Sequence, residues 1–235
     1  DKASLARAAE EIGLRAIPTI AIKSEDELQS WVKKNAIFYK NGYFLKCQDS
    51  ISFKNLYGTK GVICKTKQEI LDSYRKYNGF LGRLLLQKYM VGEIDELVAV
   101  LLVLDKDSNV IDYNIQKKVR AGGGQFGSTS LSVTLSNDKL LNEAQKLVKY
   151  LKCVGPVGVQ FKFDDDDQQY KIMEINSRFS VGVSLAVGAG DNLPLGLIHD
   201  INGERCPCNY NKKIGFYLKW MQIVVFIVIS ILILI

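Results

Sequence analysis

Apolar residues along this chain alternate between a helical spacing and a strand spacing, and turn residues mark most of the switches. Lys2 to Leu14 reads as an amphipathic helix with Leu5, Ala8, Ala9 and Ile12 on one face and Gly13 as its stop. Pro18 to Ile22 reads as a short strand. Ser24 and Glu27 then form a capping box that opens a helix to Lys34. Tyr43 to Lys46 and Val62 to Cys64 read as strands on either side of a polar loop, Cys47 to Lys60. A capped helix follows from Thr66 to Tyr77, then an apolar strand from Arg83 to Met90. Leu97 to Leu104 and Val110 to Lys117 are strands around the turn Asp105 to Asn109. A glycine-rich loop at Ala121 to Gly127 leads to a strand, Ser130 to Leu135, and a helix from about Asn137 to Leu151. Val157 to Phe163 and Tyr170 to Ile175 form the last strand pair, and Asp191 to Ile201 is a short helix. The pattern predicts an α+β protein of two lobes joined near residue 90, with no internal repeat.

The last strand pair carries the most chemistry. On its first strand Val157, Val159, Phe161 and Phe163 share one face, and Gly158, Gln160 and Lys162 the other. On its second strand Ile172, Glu174 and Asn176 share a face. A five-residue loop, Asp165 to Gln169, would set Gln160 across from Glu174 and bring three oxygen-bearing side chains together. One carboxylate and two neutral oxygens suit Mg2+ that arrives with phosphates. Arg178 follows as a planar cation for phosphate. These residues alone leave open a second reading, an exposed hairpin face with a solvated Glu174. Asp164 to Asp167 lacks the pattern of a calcium loop and reads as a solvated turn.

Composition narrows the classes. In 235 residues, 47% hydrophobic and 24% charged, the balance is that of a globular protein rather than a disordered or polytopic one. A net charge of +6 suits a phosphate-rich ligand or a membrane surface, and no nucleic-acid-binding motif accompanies it. Five scattered cysteines do not make a disulfide framework and fit a reducing, cytoplasmic setting. Cys206-x-Cys208 and the lone His199 read as structural. Trp220 to Ile235 is uncharged and apolar, and Lys212, Lys213 and Lys219 precede it. A short membrane anchor and a buried strand with an apolar tail both fit it.

The segment E-I-N-S-R-F-S, Glu174 to Ser180, resembles the E-x-N-x-R segment of ATP-grasp ligases, nearest to the carbamoyl-phosphate synthetase large-chain and biotin carboxylase branch. Val159-Gln160-Phe161 is similar to the strand that supplies the other metal ligand there. The resemblance implies an ATP-grasp fold: two α+β lobes with the nucleotide between them. It also implies Mg2+, with Mn2+ as an alternative ion, on Gln160, Glu174 and Asn176, and Arg178 facing the reacting phosphate. Lys46, in Y-F-L-K, matches the lysine that reaches the phosphates, and Lys60 and Gly61 match the end of the phosphate loop. The stretch before that loop is long and glycine-free, a departure from the family. L-L-L-Q-K-Y-M-V-G-E resembles the adenine-reading hinge. Gln87 then meets the adenine amino group, Lys88 and Met90 supply backbone contacts with Tyr89 between them, Met90 packs on the ring, and Glu93 holds the ribose. Lys117, Lys118 and Arg120, ahead of the glycines, are implied near the terminal phosphate and substrate, Lys117 and Arg120 as catalytic cations.

The opening D-K-A-S-L is similar to the start of the ATP-grasp region and implies that the usual preceding N-terminal domain is absent. The expected organisation is a helix leading in from that domain (1–15), an N-terminal lobe (16–86), a C-terminal lobe with the metal hairpin (87–206), and a strand with an apolar tail (207–235). The implied activity is an ATP- and Mg2+-dependent ligase that joins a small carboxylate to an amine or another nucleophile through an acyl phosphate. The alternative is an ATP-binding module with weak or no catalysis, tethered to a membrane by its tail. The implied partners are ATP and the two substrates, with no nucleic acid; membrane contact through the tail and a homo-oligomer stay open.

Overall fold

The computed structural model describes residues 2–34, 39–80, 82–91, 97–122, 128–204, 213–215 and 217–219. The chain divides into two compact units. The first is Asp1–Gly92 with Phe161–Ile175, and the second is Glu93–Gln160 with Asn176–Ile235. The leading helix and most of the metal hairpin therefore belong to the first unit, and the division falls at Gly92 rather than at residue 86.

In the first unit α1 (Lys2–Glu11) buries Ala3, Leu5, Ala6 and Ala9. Strands β1 (Thr19–Ile22), β2 (Tyr43–Cys47), β3 (Gly61–Cys64) and β4 (Leu84–Lys88) form an antiparallel sheet in the order β1-β4-β2-β3. Period-two alternation sends Tyr43, Leu45, Cys47, Leu84 and Leu86 into a core with Leu28, Phe53, Ile70 and Tyr74. Those partners come from α2 (Glu25–Lys34), α3 (Ser50–Tyr57) and α4 (Lys67–Lys76). Both capping residues read from the sequence bond as expected: Ser24 Oγ accepts from Glu27 N and Thr66 Oγ1 from Glu69 N.

Helix α3 corrects the reading of Cys47 to Lys60 as a polar loop. Asp49 caps it by accepting from Ser52 N, Gly58 closes it in the left-handed region at φ 72°, and Phe53 alone is buried along it. A helix anchored by one side chain leaves little periodicity to read.

The second unit holds β5 (Leu97–Leu104), β6 (Val110–Gly122), β7 (Ser128–Thr134) and β10 (Tyr217–Lys219), with the outer ends of β8 (Gly155–Asp164) and β9 (Gln169–Asn176), whose Phe161–Ile175 stretch belongs to the first unit. The sheet order is β10-β7-β6-β5-β8-β9. Helix α5 (Asp138–Tyr150), capped by Asn137, packs on β5 through a fully buried face of Leu140, Ala144, Leu147 and Val148. Helices α6 (Val183–Ala189) and α7 (Leu193–Ile201) pack Ala186 and Leu193 against Leu101 and Val103 of β5. Helix α6 was not expected. Helix α7 starts at Leu193, with Asn192 as its cap, two residues later than expected. Strand β9 begins at Gln169, so the turn before it is one residue shorter than the five expected.

No helix among the described residues is long and apolar enough to cross a membrane. The apolar tail 220–235, Cys206, Cys208, Glu93 and glycines 123, 124 and 127 lie outside the described residues.

Candidate functional site

The second unit holds a cavity of about 290 Å3. Strand alternation explains its wall. Gln116 and Lys118 share one face of β6, Gly158 and Gln160 share one face of β8, and β9 delivers Asn176 at its end. The turn after β9 adds Arg178, Ser180 and Gly182. The described lining includes two cations, Lys118 and Arg178, and no carboxylate. Leu97, Val98, Leu101 and Leu185 supply the apolar part.

A buried polar chain holds this wall in shape. Gln116, 5% exposed, donates to Asn114 Oδ1 at 2.8 Å and to the Gly182 carbonyl at 2.7 Å. Asn114 in turn donates to Asp191 Oδ2 at 2.7 Å. Three hydrogen-bonded side chains thereby tie β6 to the turn that carries Arg178 and to the junction between the last two helices. Sequence reasoning missed Asn114, Gln116 and Asp191, since buried amides on a strand look like ordinary polar positions. Gly182 is required by space, not by dihedral angle, because a Cβ there would lie 2.2 Å from Gln116 Oε1. Gly182→Ala is expected to displace the Gln116 amide and destabilise the chain by about 1–2 kcal/mol, read as a lower urea midpoint.

Of the predicted catalytic residues, Arg178 lines the cavity, exposed, with its guanidinium donating to the Phe179 carbonyl at 3.3 Å. Lys118 rather than Lys117 is the lysine on the cavity face; Lys117, one residue earlier, falls on the other face of β6. Arg120 is exposed and donates to Ser130 Oγ at 3.2 Å, away from the described lining. Gln160 and Asn176 both line the cavity. Glu174 is two residues before Asn176, so alternation puts them on one face of β9. Its carboxylate, about one-third exposed, pairs with Lys2 at 2.6 Å. Among the described residues no group of three or more His, Cys, Asp or Glu side chains is placed to hold a metal. A donor set of one carboxylate and two amide oxygens still fits Mg2+, which keeps several waters and takes phosphate oxygens.

The predicted nucleotide residues of the first unit lie on β2 to β4. Lys46 and Gln87 stand on the sheet face opposite the core, and the Lys46 ammonium donates to the Gln87 carbonyl. The Gln87 amide donates to Thr19 Oγ1 at 2.7 Å. Burial, with repulsion from Lys2 and only partial relief from Glu174, pulls the Lys46 ammonium down to about 7. Gly61 is buried, and a Cβ on it would meet Leu45 O at 2.5 Å. Lys60 beside it is exposed. Tyr89 is half-buried, its ring 6.3 Å from that of Phe44, and Met90 is buried.

Backbone bonding around Lys88 singles out one carbonyl. Lys88 N donates to Pro18 O at 2.9 Å and Tyr89 N to Gly42 O at 3.1 Å. In such an antiparallel pair each residue normally donates to the other. Pro18 has no N–H to return, so the Lys88 carbonyl receives no ladder bond from it. The sequence reading gave Lys88 a backbone role only. Its side chain is buried, bonded to Asp164 at 2.7 Å. Asp164 is therefore no part of a solvated turn.

Comparison with known proteins places these features. Residues 98–224 match the family described as "ATP-grasp in the biosynthetic pathway with Ter operon". Human mitochondrial carbamoyl-phosphate synthase [ammonia] is 27% identical over 157 residues, 60% of this chain and 10% of that protein. Solved structures that share the fold include two biotin carboxylases. The biotin carboxylase domain of Hydrogenobacter thermophilus 2-oxoglutarate carboxylase, in complex with MgADP, ADP and bicarbonate, has a TM-score of 0.70 at 19% identity, over 92% of this chain and 48% of that one. Campylobacter jejuni biotin carboxylase has a TM-score of 0.71 at 15% identity, over 92% and 49%. The chain spans a tenth of the curated relative and about half of each solved structure. With more than half of its residues matched by the family, the chain belongs to the ATP-grasp family.

Proposed function

We propose that the chain is the nucleotide-handling part of an ATP-dependent ligase that joins a small carboxylate to an amine or another nucleophile. The observation that carries this reading is the cavity wall on which Gln160, Asn176, Arg178 and Lys118 meet with no carboxylate among the described lining. Such a wall suits an anion-rich reactant. Family membership supports ATP as that reactant.

Gln160, Glu174 and Asn176 would hold Mg2+, with Mn2+ as a substitute. When bound, the ion neutralises charge on phosphate oxygens and helps to align them. The remaining work falls to the chain's own side chains. Lys46, neutral or charged near pH 7, becomes fully charged beside a phosphate and grips it. Arg178 presents a planar fork to the transferred phosphoryl group. Lys118 balances the carboxylate that attacks it. Lys60, Gly61, Tyr89, Met90 and Glu93 complete the nucleotide contacts.

In the first step a carboxylate oxygen bonds to the γ-phosphorus, the bond from that phosphorus to the β–γ bridging oxygen breaks, and ADP leaves. In the second, the nucleophile bonds to the acyl carbon, the carbon–oxygen bond breaks, and phosphate leaves while the amine proton passes to solvent. No covalent enzyme intermediate is needed, so positioning and charge neutralisation carry the rate.

ADP release in the presence of Mg·ATP and a pool of carboxylates and amines tests the reading. The expected result is release that depends on one acid together with one nucleophile, and a higher melting temperature with Mg·ATP. A raised melting temperature with no release from any acid–amine pair would favour the non-catalytic binding module. No shift and no release would overturn both.

A further inference from the structure

One polar atom on the cavity wall has no task in the chemistry above, the side-chain oxygen of Gln116. Its direction follows from the buried polar chain. An Asp191 oxygen accepts from Asn114 Nδ2, which turns Asn114 Oδ1 toward Gln116. Gln116 Nε2 donates one hydrogen to Asn114 Oδ1 and the other to the Gly182 carbonyl. A side-chain amide has only those two hydrogens, so Gln116 Oε1 is left as an acceptor. That oxygen stands 2.2 Å from the place a Gly182 Cβ would take, and both residues line the cavity. The missing side chain of Gly182 thus keeps the acceptor uncovered.

The surroundings of that acceptor define a ligand. Lys118 is two residues further along the same face of β6, a step of about 6.6 Å along a strand. A carboxylate and an amino group on one carbon, each with a hydrogen bond of about 2.8 Å, span a gap of that order. Leu97, Leu101 and Leu185 add an apolar wall. A cavity of about 290 Å3 admits a small molecule.

We propose that the acid taken by this site is a small apolar α-amino acid, with Lys118 at its carboxylate, Gln116 Oε1 at its amino group and the leucines along its side chain. The inference rests on the ligase reading given above and narrows its acid to one class. Gln116 is then the specificity-determining residue, because an acid without a donor leaves its oxygen unpaired.

The test is calorimetric titration of the full chain, saturated with Mg2+ and a non-hydrolysable ATP analogue. The probes are alanine, valine, leucine and methionine, each beside the carboxylic acid of the same skeleton without the amino group. At least one amino acid should bind about tenfold to a hundredfold more tightly than its counterpart, the range for a hydrogen bond to a charged group. Gln116→Met and Gly182→Ala should each bring that ratio to within about threefold. Gly182→Ala removes no polar group, so it carries the test if Gln116→Met does not fold. With ATP and hydroxylamine, whose nitrogen displaces phosphate from an acyl carbon, the same amino acid should yield its hydroxamate. Binding without hydroxamate would overturn its place as the acid. A chain that binds the analogue but prefers no amino acid, or folded variants that keep the full ratio, would overturn the inference and leave the nucleotide reading standing. Failure to bind the analogue would overturn both.

Discussion

Glu174→Ala is expected to abolish Mg2+-dependent ATP turnover while leaving the chain folded. Glu174 is the single carboxylate of the proposed donor set, so its loss leaves two neutral amides, a poor match for a hard divalent cation. The expected fall in kcat is about a thousandfold or more, comparable to removing a group that stabilises transition-state charge. The structural cost is small. Glu174 and its partner Lys2 are 32% and 30% exposed, and an ion pair of that exposure contributes at most about 1 kcal/mol. Turnover assayed against Mg2+ concentration, beside a thermal melt, checks both halves. A variant that retains Mg2+-dependent turnover near that of the unmodified chain would refute the role given to Glu174.

The second large effect concerns Lys46. Its ammonium sits near 7 because burial, repulsion from Lys2 and a neutral amide partner do little to retain the proton. A phosphate beside it restores the charge, so ADP binding should take up a proton above pH 7. Affinity should fall from pH 7 to 9 by at most roughly tenfold per unit. Calorimetry at pH 8 in two buffers of different ionisation enthalpy measures the uptake directly. Lys46→Met should weaken ADP binding by about 1.5–3 kcal/mol, the range for hydrogen bonds to charged groups, and remove the pH slope. Folding shows the same linkage. Between about 7 and the ordinary lysine value of 10.5 the unfolded chain holds a proton that the folded chain has released. Stability therefore rises with pH through that window, and Lys46→Met flattens the rise. A pH-independent ADP affinity from 6 to 9 would remove Lys46 from the phosphate site.

Two of the helices that sequence alone revealed, α5 behind Asn137 and α4 behind Thr66, combine a side-chain cap with more than one buried side chain on a single face. Helix α3 escaped because only Phe53 anchors it while Ile51 and Leu56 stay exposed at 74% and 65%. Helix α6 escaped because V-S-L-A-V-G-A is short, small-sided and opened by a glycine without a side-chain cap. The hairpin was readable because Val157, Val159 and Phe161 alternate cleanly with Gln160. Its tip was not. Four consecutive aspartates look solvated in one dimension, and only the approach of Lys88 from a distant strand turns Asp164 into a buried counter-ion. Among the cations, the family pattern indicated Lys117, and the phase of β6 indicates Lys118. A one-residue step along a strand changes which face a side chain serves.

Ligase chemistry on this chain requires Gln160, Glu174 and Asn176 to act as one set of oxygen donors. Anomalous diffraction from crystals grown with Mn2+ and ADP tests that directly. The predicted result is a manganese peak within about 2.3 Å of oxygens from those three side chains, shared with the ADP phosphates. A manganese peak on other residues, with Glu174 still paired to Lys2, would contradict it.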